Sequence, residues 1–464
     1  MTLIKSISGI RGTIGGKISK NLTPIDAVKF AAAYGTWLIK RNTNKESLKI
    51  VIGRDARISG KMVSSLVSNT LVGLGIDIID AGLSTTPTVE VAVKLENADG
   101  GIIITASHNP KQWNALKLLN EKGEFLNAIE GEKILELAES DEFNFALVDD
   151  IGTYTKKKDF IERHIQEVLN LDLVDVVAIK KANFKVVVDG VNSTGGIAIP
   201  QLLKELDVET IKLYCEPNGE FPHNPEPLEE NLTEISKLVV QEKADLGIVV
   251  DPDVDRLAFI NEDGSMFGEE YTLVACADYV LTHTKGNTSS NLSSSRALRD
   301  VTKKHGGTYT ASAVGEVNVV TKMKETHAVI GGEGNGGIIY PASHYGRDSL
   351  VGVALFLSHL AHKDVSCKTL RDSYPSYFMS KNKIQLTPEI NVDLILEKMT
   401  QKYQNEDINT IDGVKIDFET EWVHLRKSNT EPIIRIYTES SSQENADALA
   451  QRIIEEIQTI VVGS

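Results

Sequence analysis

The sequence predicts an α/β protein of several domains that closes in a smaller α+β domain, and three observations carry that reading. From residue 24 to about residue 260, amphipathic helical stretches alternate with short β-branched runs, the pattern of sheets flanked by helices. Those runs end in polar turns bearing glycine or proline, the form of buried strands whose carboxyl ends present loops. The third observation is size. At 464 residues the chain exceeds what one hydrophobic core supports, so three or four domains are expected.

A first helix starts at Thr23-Pro24, where a capping residue precedes a proline in the first turn. A second runs from Ser59 through Met62, Val63, Leu66, Val67 and Leu74 to Gly75, with an apolar stripe for a core. Three strands recur in one form: Ile50-Val51-Ile52 before Gly53-Arg54-Asp55, Val186-Val187-Val188 before Asp189-Gly190, and Ile248-Val249-Val250 before Asp251-Pro252. Such recurrence hints at repeated α/β units. A fourth strand, Gly101 to Thr105, delivers Ser107. The polar stretch Gly286 to Ser295 has the composition of a linker. It stops where a helical pattern opens at Arg296-Ala297-Leu298, so it is read as a turn inside a domain, its serines serving as N-caps. After about residue 372 the charges scatter, two strands lie around Arg426 to Thr438, and a last helix runs from Gln443 to Val461.

Composition narrows the function classes. Hydrophobic residues make up 41% and charged residues 25%, and no apolar run reaches the length of a membrane span, so a soluble globular protein is expected. The amino terminus shows no basic region followed by an apolar stretch and a cleavage site, which makes the cytoplasm the expected compartment. Cys215, Cys276 and Cys367 are odd in number and far apart, which suits core filling and neither a disulfide framework nor a thiolate metal site. The net charge of −16, without a basic track interleaved with aromatics, argues against nucleic acid. It does not argue against a small anion, because a cleft's field is set by nearby arginines and metal.

Four segments carry chemistry. In Asp251-Pro252-Asp253-Val254-Asp255-Arg256, carboxylates at alternate positions of a turn can converge on a hard divalent cation, and magnesium suits a site that also holds phosphate. A calcium-binding EF-hand is the competing reading. It fails on context, since Arg256 stands where the loop needs glycine and the flanks read as strands. Ser107, in Thr105-Ala106-Ser107-His108-Asn109-Pro110, sits on a constrained loop after a buried strand, with Lys117 ten residues on as a candidate proton carrier. A capping serine is the plain alternative. Gly331-Gly332-Glu333-Gly334-Asn335-Gly336-Gly337 gathers five glycines around a carboxylate and an amide, a pairing suited to vicinal hydroxyls of a sugar. Arg426-Lys427-Ser428-Asn429-Thr430-Glu431-Pro432, followed by Arg435, has the arginines and hydroxyls of a phosphate cradle, or of an ordinary hairpin loop.

With these four segments in this order, the chain resembles the α-D-phosphohexomutase family along essentially its whole length. The resemblance implies three related α/β domains with mixed sheets and a smaller C-terminal α+β domain, each giving one loop to a central cleft. The expected divisions are 1–150 with the phosphoserine loop, 151–256 with the metal loop, 257–372 with the sugar loop, and 373–464 with the phosphate loop. It further implies that Ser107 is the phosphoserine and a metal ligand beside Asp251, Asp253 and Asp255. Arg256 would reach the reacting phosphate, Lys117 would act as general acid/base, and His108 and Arg11 would line the same region. Glu333 and Asn335 would bind the sugar. Arg426, Ser428, Asn429, Thr430 and Arg435 would grip the phosphate that is not transferred. The implied reaction is two phosphoryl transfers through a bound hexose 1,6-bisphosphate, with Mg²⁺ as cofactor, a hexose phosphate as partner, no membrane, and a monomer or homodimer.

Departures from the family pattern bear on substrate. The sugar loop lacks the Ser-Gly-His ending of many glucose and mannose mutases, and Ser8 stands where mannose-type enzymes carry an aromatic. Pro252 and Ala115 each replace a more usual glycine without removing a ligand. The glycine-rich variant, with Gly346-Arg347-Asp348 downstream, looks more like phosphoglucosamine mutases, so glucosamine phosphate is the expected substrate and glucose or mannose phosphate the alternative. Outside the family, a phosphatase or a sugar-phosphate sensor is the competitor. The joint presence of Ser107, Lys117 and the three aspartates speaks against a sensor.

Overall fold

A computed structural model describes residues 2–6, 9–385, 391–427 and 433–462. The chain forms four sheets. The first has seven strands, in spatial order Ile4–Ser6, Gly9–Thr13, Trp113–Leu119, Gly100–Ile104, Leu48–Arg54, Ile76–Leu83 and Tyr154–Lys156. Its centre is parallel and mostly buried, with Gly100–Ile104 buried throughout. The antiparallel partner Trp113–Leu119 places Lys117 opposite Ile103, so the serine loop and the lysine leave one pair of strands. The helix Pro24–Arg41 begins as expected, with Thr23 and Asp26 closing a reciprocal capping box and Pro24 in the first turn.

The second sheet orders Leu257–Asn261, Leu246–Val250, Lys185–Asp189 and Glu209–Leu213. Two of the three recurrent strands are therefore neighbours in one sheet, with Leu246 beside Val186 in parallel register, and do not head separate units. Tyr154–Lys156 pairs with Ile76–Leu83 at the edge of the first sheet. Leu257–Asn261 returns antiparallel onto Leu246–Val250, because the acidic loop between them is a hairpin connection.

The third sheet orders Tyr309–Ser312, Asn287–Asn291, Ala328–Glu333 and Gly337–Ile339. The stretch read as a turn thus holds a buried central strand. It is polar because its hydroxyls are bonded inside the domain: Thr288 to the Thr302 hydroxyl at 2.6 Å, Ser289 to Thr310 O at 2.9 Å, and Ser290 with the Tyr309 hydroxyl at 2.9 Å. Ser295 Oγ accepts from Ala297 N at 3.2 Å where the helix Ala297–Lys304 opens. The fourth sheet is antiparallel throughout, in the order Phe378–Gln385, Ile433–Ser440, Trp422–Lys427, Val414–Asp417 and Asp407–Asn409, and the helices Val392–Lys402 and Gln443–Val462 cover it. No described helix is long and apolar enough to cross a membrane.

The largest apolar core runs continuously from the second sheet into the third, with Phe259 and Phe356 stacked at 3.8 Å between ring centroids. The fourth domain has its own core around Met399, Ile416, Leu425 and Ile453. The first three domains are clasped at a buried polar knot. His164 Nε2 and His344 Nε2 meet Asp348 Oδ2 at 2.9 and 3.1 Å, and His344 Nδ1 lies 3.3 Å from Glu90. Asp348 also caps the helix Ser349–Lys363 through Leu350 N and Val351 N.

Candidate active site

Ser107 follows the strand Gly100–Ile104 and adopts φ 50°, a left-handed turn that reverses the chain at the strand's carboxyl end. Arg57 holds that turn open. Its guanidinium donates to the carbonyls of Ser107 (2.5 Å), Asn109 (2.6 Å), Pro110 (2.8 Å) and Trp113 (3.0 Å), and its Nε to Asp55 Oδ2 (2.9 Å). Asp55 in turn accepts from the Thr105 hydroxyl at 2.7 Å, and Thr105 Oγ1 accepts from Ser107 N at 3.0 Å. The serine is therefore oriented by a fully buried frame.

Ser107 Oγ donates to Asp253 Oδ2 at 3.2 Å, and that oxygen also accepts from Lys117 Nζ at 2.7 Å and the Thr86 hydroxyl at 2.6 Å. The serine loop of the first domain and the acidic loop of the second thus meet on one carboxylate oxygen. Asp255 Oδ2 accepts from Arg347 Nη2 at 2.6 Å, and Asp251 Oδ1 accepts from Asp255 N at 3.1 Å and Arg256 N at 3.2 Å. Each aspartate keeps one buried oxygen without a hydrogen-bond partner: Asp251 Oδ2, Asp253 Oδ1 and Asp255 Oδ1. Three buried carboxylates whose ligand atoms lie within 4.8 Å of one another form a hard-oxygen donor set, and their orphaned oxygens fit a divalent cation of the magnesium type.

The electrostatics agree. Burial, reinforced by Asp253 and Asp255, pushes the Asp251 carboxyl well up. Burial opposes ionisation of Asp255 too, but Arg347, Lys117 and Arg256 outweigh it and hold that carboxyl below the usual range. For Lys117, desolvation is overcome by Asp253 and Asp255, so its ammonium is held charged. Burial and then Arg256 keep the His108 imidazole neutral. Arg11 feels burial first and then Arg256, which places both guanidiniums in the same field.

Glu333 ends the strand Ala328–Glu333. Its Oε1 accepts from Asn291 Nδ2 at 2.8 Å and Gly315 N at 3.1 Å, and its Oε2 from Arg347 Nη1 at 2.9 Å. Asn335 turns its amide oxygen to Gly337 N at 3.2 Å. Gly336 has φ +84°, and a Cβ there would lie 2.1 Å from Leu257 O, so glycine lets the sugar loop rest on the strand that leaves the acidic loop. Arg256 donates from Nη1 to Glu226 at 2.8 Å. Arg426 and Arg435 face one another across paired strands of the fourth sheet, with Arg426 Nη1 donating to Asp412 at 3.3 Å. Ser428, Asn429 and Thr430 lie outside the described residues.

Sequence reasoning missed three side chains that organise this site. Arg57 stands just past Gly53-Arg54-Asp55, and nothing in the local sequence singles it out. Glu316 and Arg347 lie far from the acidic loop in sequence, yet Arg347 Nε reaches Glu316 at 2.9 Å while its other nitrogens take Glu333 and Asp255. Arg347 enters the sequence reading only within Gly346-Arg347-Asp348, as a feature of the glycine-rich variant, with no role in the site assigned to it.

The comparisons with known proteins follow the same division. Four family models match in order: Phosphoglucomutase/phosphomannomutase alpha/beta/alpha domain I over residues 3–145, domain II over 162–264, domain III over 268–377, and the C-terminal domain over 387–456. A phosphoglucomutase/phosphomannomutase of Thermococcus kodakarensis is 37% identical over 94% of this chain and 95% of its own. A phosphoglucosamine/phosphogalactosamine mutase of Sulfurisphaera tokodaii is 32% identical over 98% of each chain. Among solved structures, a phosphoglucomutase/phosphomannomutase family protein from Burkholderia thailandensis superposes with a TM-score of 0.85 at 24% identity, covering 99% of this chain and 98% of that one. The chain belongs to the α-D-phosphohexomutase family, and phosphohexomutase is the activity that membership carries.

Proposed function

We propose that the protein interconverts hexose 6-phosphate and hexose 1-phosphate through phosphorylated Ser107, with glucosamine phosphate as its preferred substrate. The observation that carries this reading is the convergence of Ser107 Oγ and Lys117 Nζ on Asp253 Oδ2, at 3.2 and 2.7 Å. Asp251, Asp253, Asp255 and the Ser107 oxygen would hold Mg²⁺, which when bound neutralises charge on the transferring phosphoryl group.

The chain's own residues supply the rest. Phosphorylated Ser107 loses its phosphoryl group to the free sugar hydroxyl: the Oγ–P bond breaks, the sugar O–P bond forms, and the hydroxyl proton is taken up by Lys117 in its deprotonated form, which leaves it as the ammonium. The 1,6-bisphosphate turns over in the cleft and returns its other phosphoryl group to Ser107. In that half the departing sugar oxygen needs a proton, and a Lys117 held charged by Asp253 and Asp255 is the donor at hand. Arg256 and Arg11 set positive charge on the same side, where preorganised donors act most strongly on phosphoryl transfer. Glu333 and Asn335 address sugar hydroxyls, while Arg426, Ser428, Asn429, Thr430 and Arg435 hold the spectator phosphate.

The glycine-rich sugar loop, without a histidine ending, supports the amino sugar. One observation favours glucose or mannose phosphate instead. The Thermococcus kodakarensis phosphoglucomutase/phosphomannomutase is 37% identical to this chain, whereas a probable phosphoglucosamine mutase of the same organism is 32% identical. Side-by-side kcat/KM for glucosamine 6-phosphate, glucose 1-phosphate and mannose 1-phosphate separates the two, and equal or lower efficiency with the amino sugar rejects our preference. Intact mass of the wild type and of Ser107→Ala, read beside turnover, tests the nucleophile. Activity surviving in Ser107→Ala overturns the mechanism.

A further inference from the structure

A cavity of about 510 Å³ opens at the seam of the first two domains, on a wall the proposed chemistry does not use. Arg54, Lys61, Lys156 and Lys158 line it. In a chain of net charge −16, none of the four forms an ion pair with a described carboxylate, while their neighbours Lys157 and Arg163 both pair with Glu96 at 2.7 Å. Against these cations the wall sets only Asp80 and Glu162. Asp80 is already committed, its Oδ1 to Gly82 N at 2.8 Å and its Oδ2 to the Tyr154 hydroxyl.

The rest of the lining says what kind of anion fits. Ser64 and Ser65 add hydroxyls beside Lys61, in the first turns of the helix Gly60–Gly73, whose amino end also favours negative charge. Leu83, Ile161 and Ile197 give an apolar floor. Tyr154 is 46% exposed, with the Lys156 ammonium over its ring at 5.9 Å from the centroid, so an aromatic side chain and a cation share this wall. Inorganic phosphate would use little of this space, and the volume falls in the range of small-molecule sites. Four cations, an aromatic side chain and apolar residues on one wall together match a diphosphate attached to a planar ring.

We propose that this seam is a binding site for a nucleoside diphosphate or a similar ring-bearing diphosphate, separate from the sugar-phosphate cleft. The reading is independent of which hexose the cleft accepts. Titration calorimetry of the full-length protein with ADP and with inorganic pyrophosphate tests it, against the double variant Lys61→Glu/Lys158→Glu. Both side chains are exposed and outside the catalytic machinery, so the variant keeps its fold and its kcat and KM for the sugar phosphate. ADP is expected to bind the wild type more tightly than pyrophosphate, to weaken with added salt, to lose at least about tenfold in the variant, and to bind equally well with the cleft saturated by sugar phosphate. Affinity for ADP weaker than about 1 mM, affinity unchanged in the variant, or competition with sugar phosphate would each overturn the proposal.

Discussion

Replacing Arg57 by alanine attacks the frame that orients Ser107 without touching the serine or the acidic loop. Both side chains of the Arg57–Asp55 pair are fully buried, and the guanidinium serves five acceptors, three of them carbonyls of the serine loop and a fourth the carbonyl of Trp113. Truncation strands a buried carboxylate, a change that costs about 3–5 kcal/mol when the partner of a buried pair is removed. Part of that cost has an escape. Burial already pushes the Asp55 carboxyl up against the pull of Arg57, so without Arg57 the carboxyl takes a proton in the folded state. A folded-state pKa above the unfolded one means that stability falls as pH rises, so the variant loses less at pH about 5 than at pH about 8. Urea denaturation at the two pH values measures this, and phosphate incorporation at Ser107 measures the loop. Arg57→Lys keeps the charge, but one ammonium with three donors cannot span five acceptors. A misplaced nucleophile then costs about a hundredfold in kcat with smaller loss of stability. A pH-independent loss below about 1 kcal/mol with normal turnover would refute the reasoning.

Lys117→Ala should lower kcat by about 10²–10⁴-fold and also lower the thermal midpoint, since it removes the ammonium paired with the buried Asp253 and Asp255; steady-state kinetics beside calorimetry checks both. Asp253→Asn should abolish magnesium-dependent turnover, and chelation of the wild type should be reversed by added Mg²⁺, each read in the same coupled assay. His344, opposed by burial but bonded to Asp348 and Glu90, is raised to about 9. Its contribution is complete below the unfolded value near 6.5 and disappears as pH rises through about 9, so the melting temperature should fall between about pH 7 and 10, and His344→Gln should flatten that fall. Gly336→Ala should raise KM for the sugar and cost about 1–3 kcal/mol, because its Cβ would meet Leu257 O at 2.1 Å; a KM unchanged from wild type would separate the loop from sugar binding.

The elements that announce themselves locally were legible in the sequence. Thr23-Pro24 fixed a helix start through capping chemistry, and the acidic loop carried its alternation of carboxylates in six residues. What depended on distant partners was not legible. The strand Asn287–Asn291 reads as a turn because nothing nearby in sequence shows that Thr302, Tyr309 and Thr310 will take up its hydroxyls. The hairpin return of Leu257–Asn261 lay hidden behind the acidic loop. Arg347 escaped for the same reason: its three carboxylates come from positions 255, 316 and 333, a set that only the folded chain brings together.

The core shared by the second and third sheets has a consequence for how the protein is made. The acidic loop and the sugar loop lean on one body of packed side chains that is complete once the ribosome has released the residues up to Tyr374, whereas the fourth domain folds around aliphatic side chains of its own. A nascent chain can therefore assemble the wall bearing Asp251 to Asp255 and Glu333 before its last domain emerges. A chain truncated after that point would be born with its acidic pocket formed and its second pair of arginines missing.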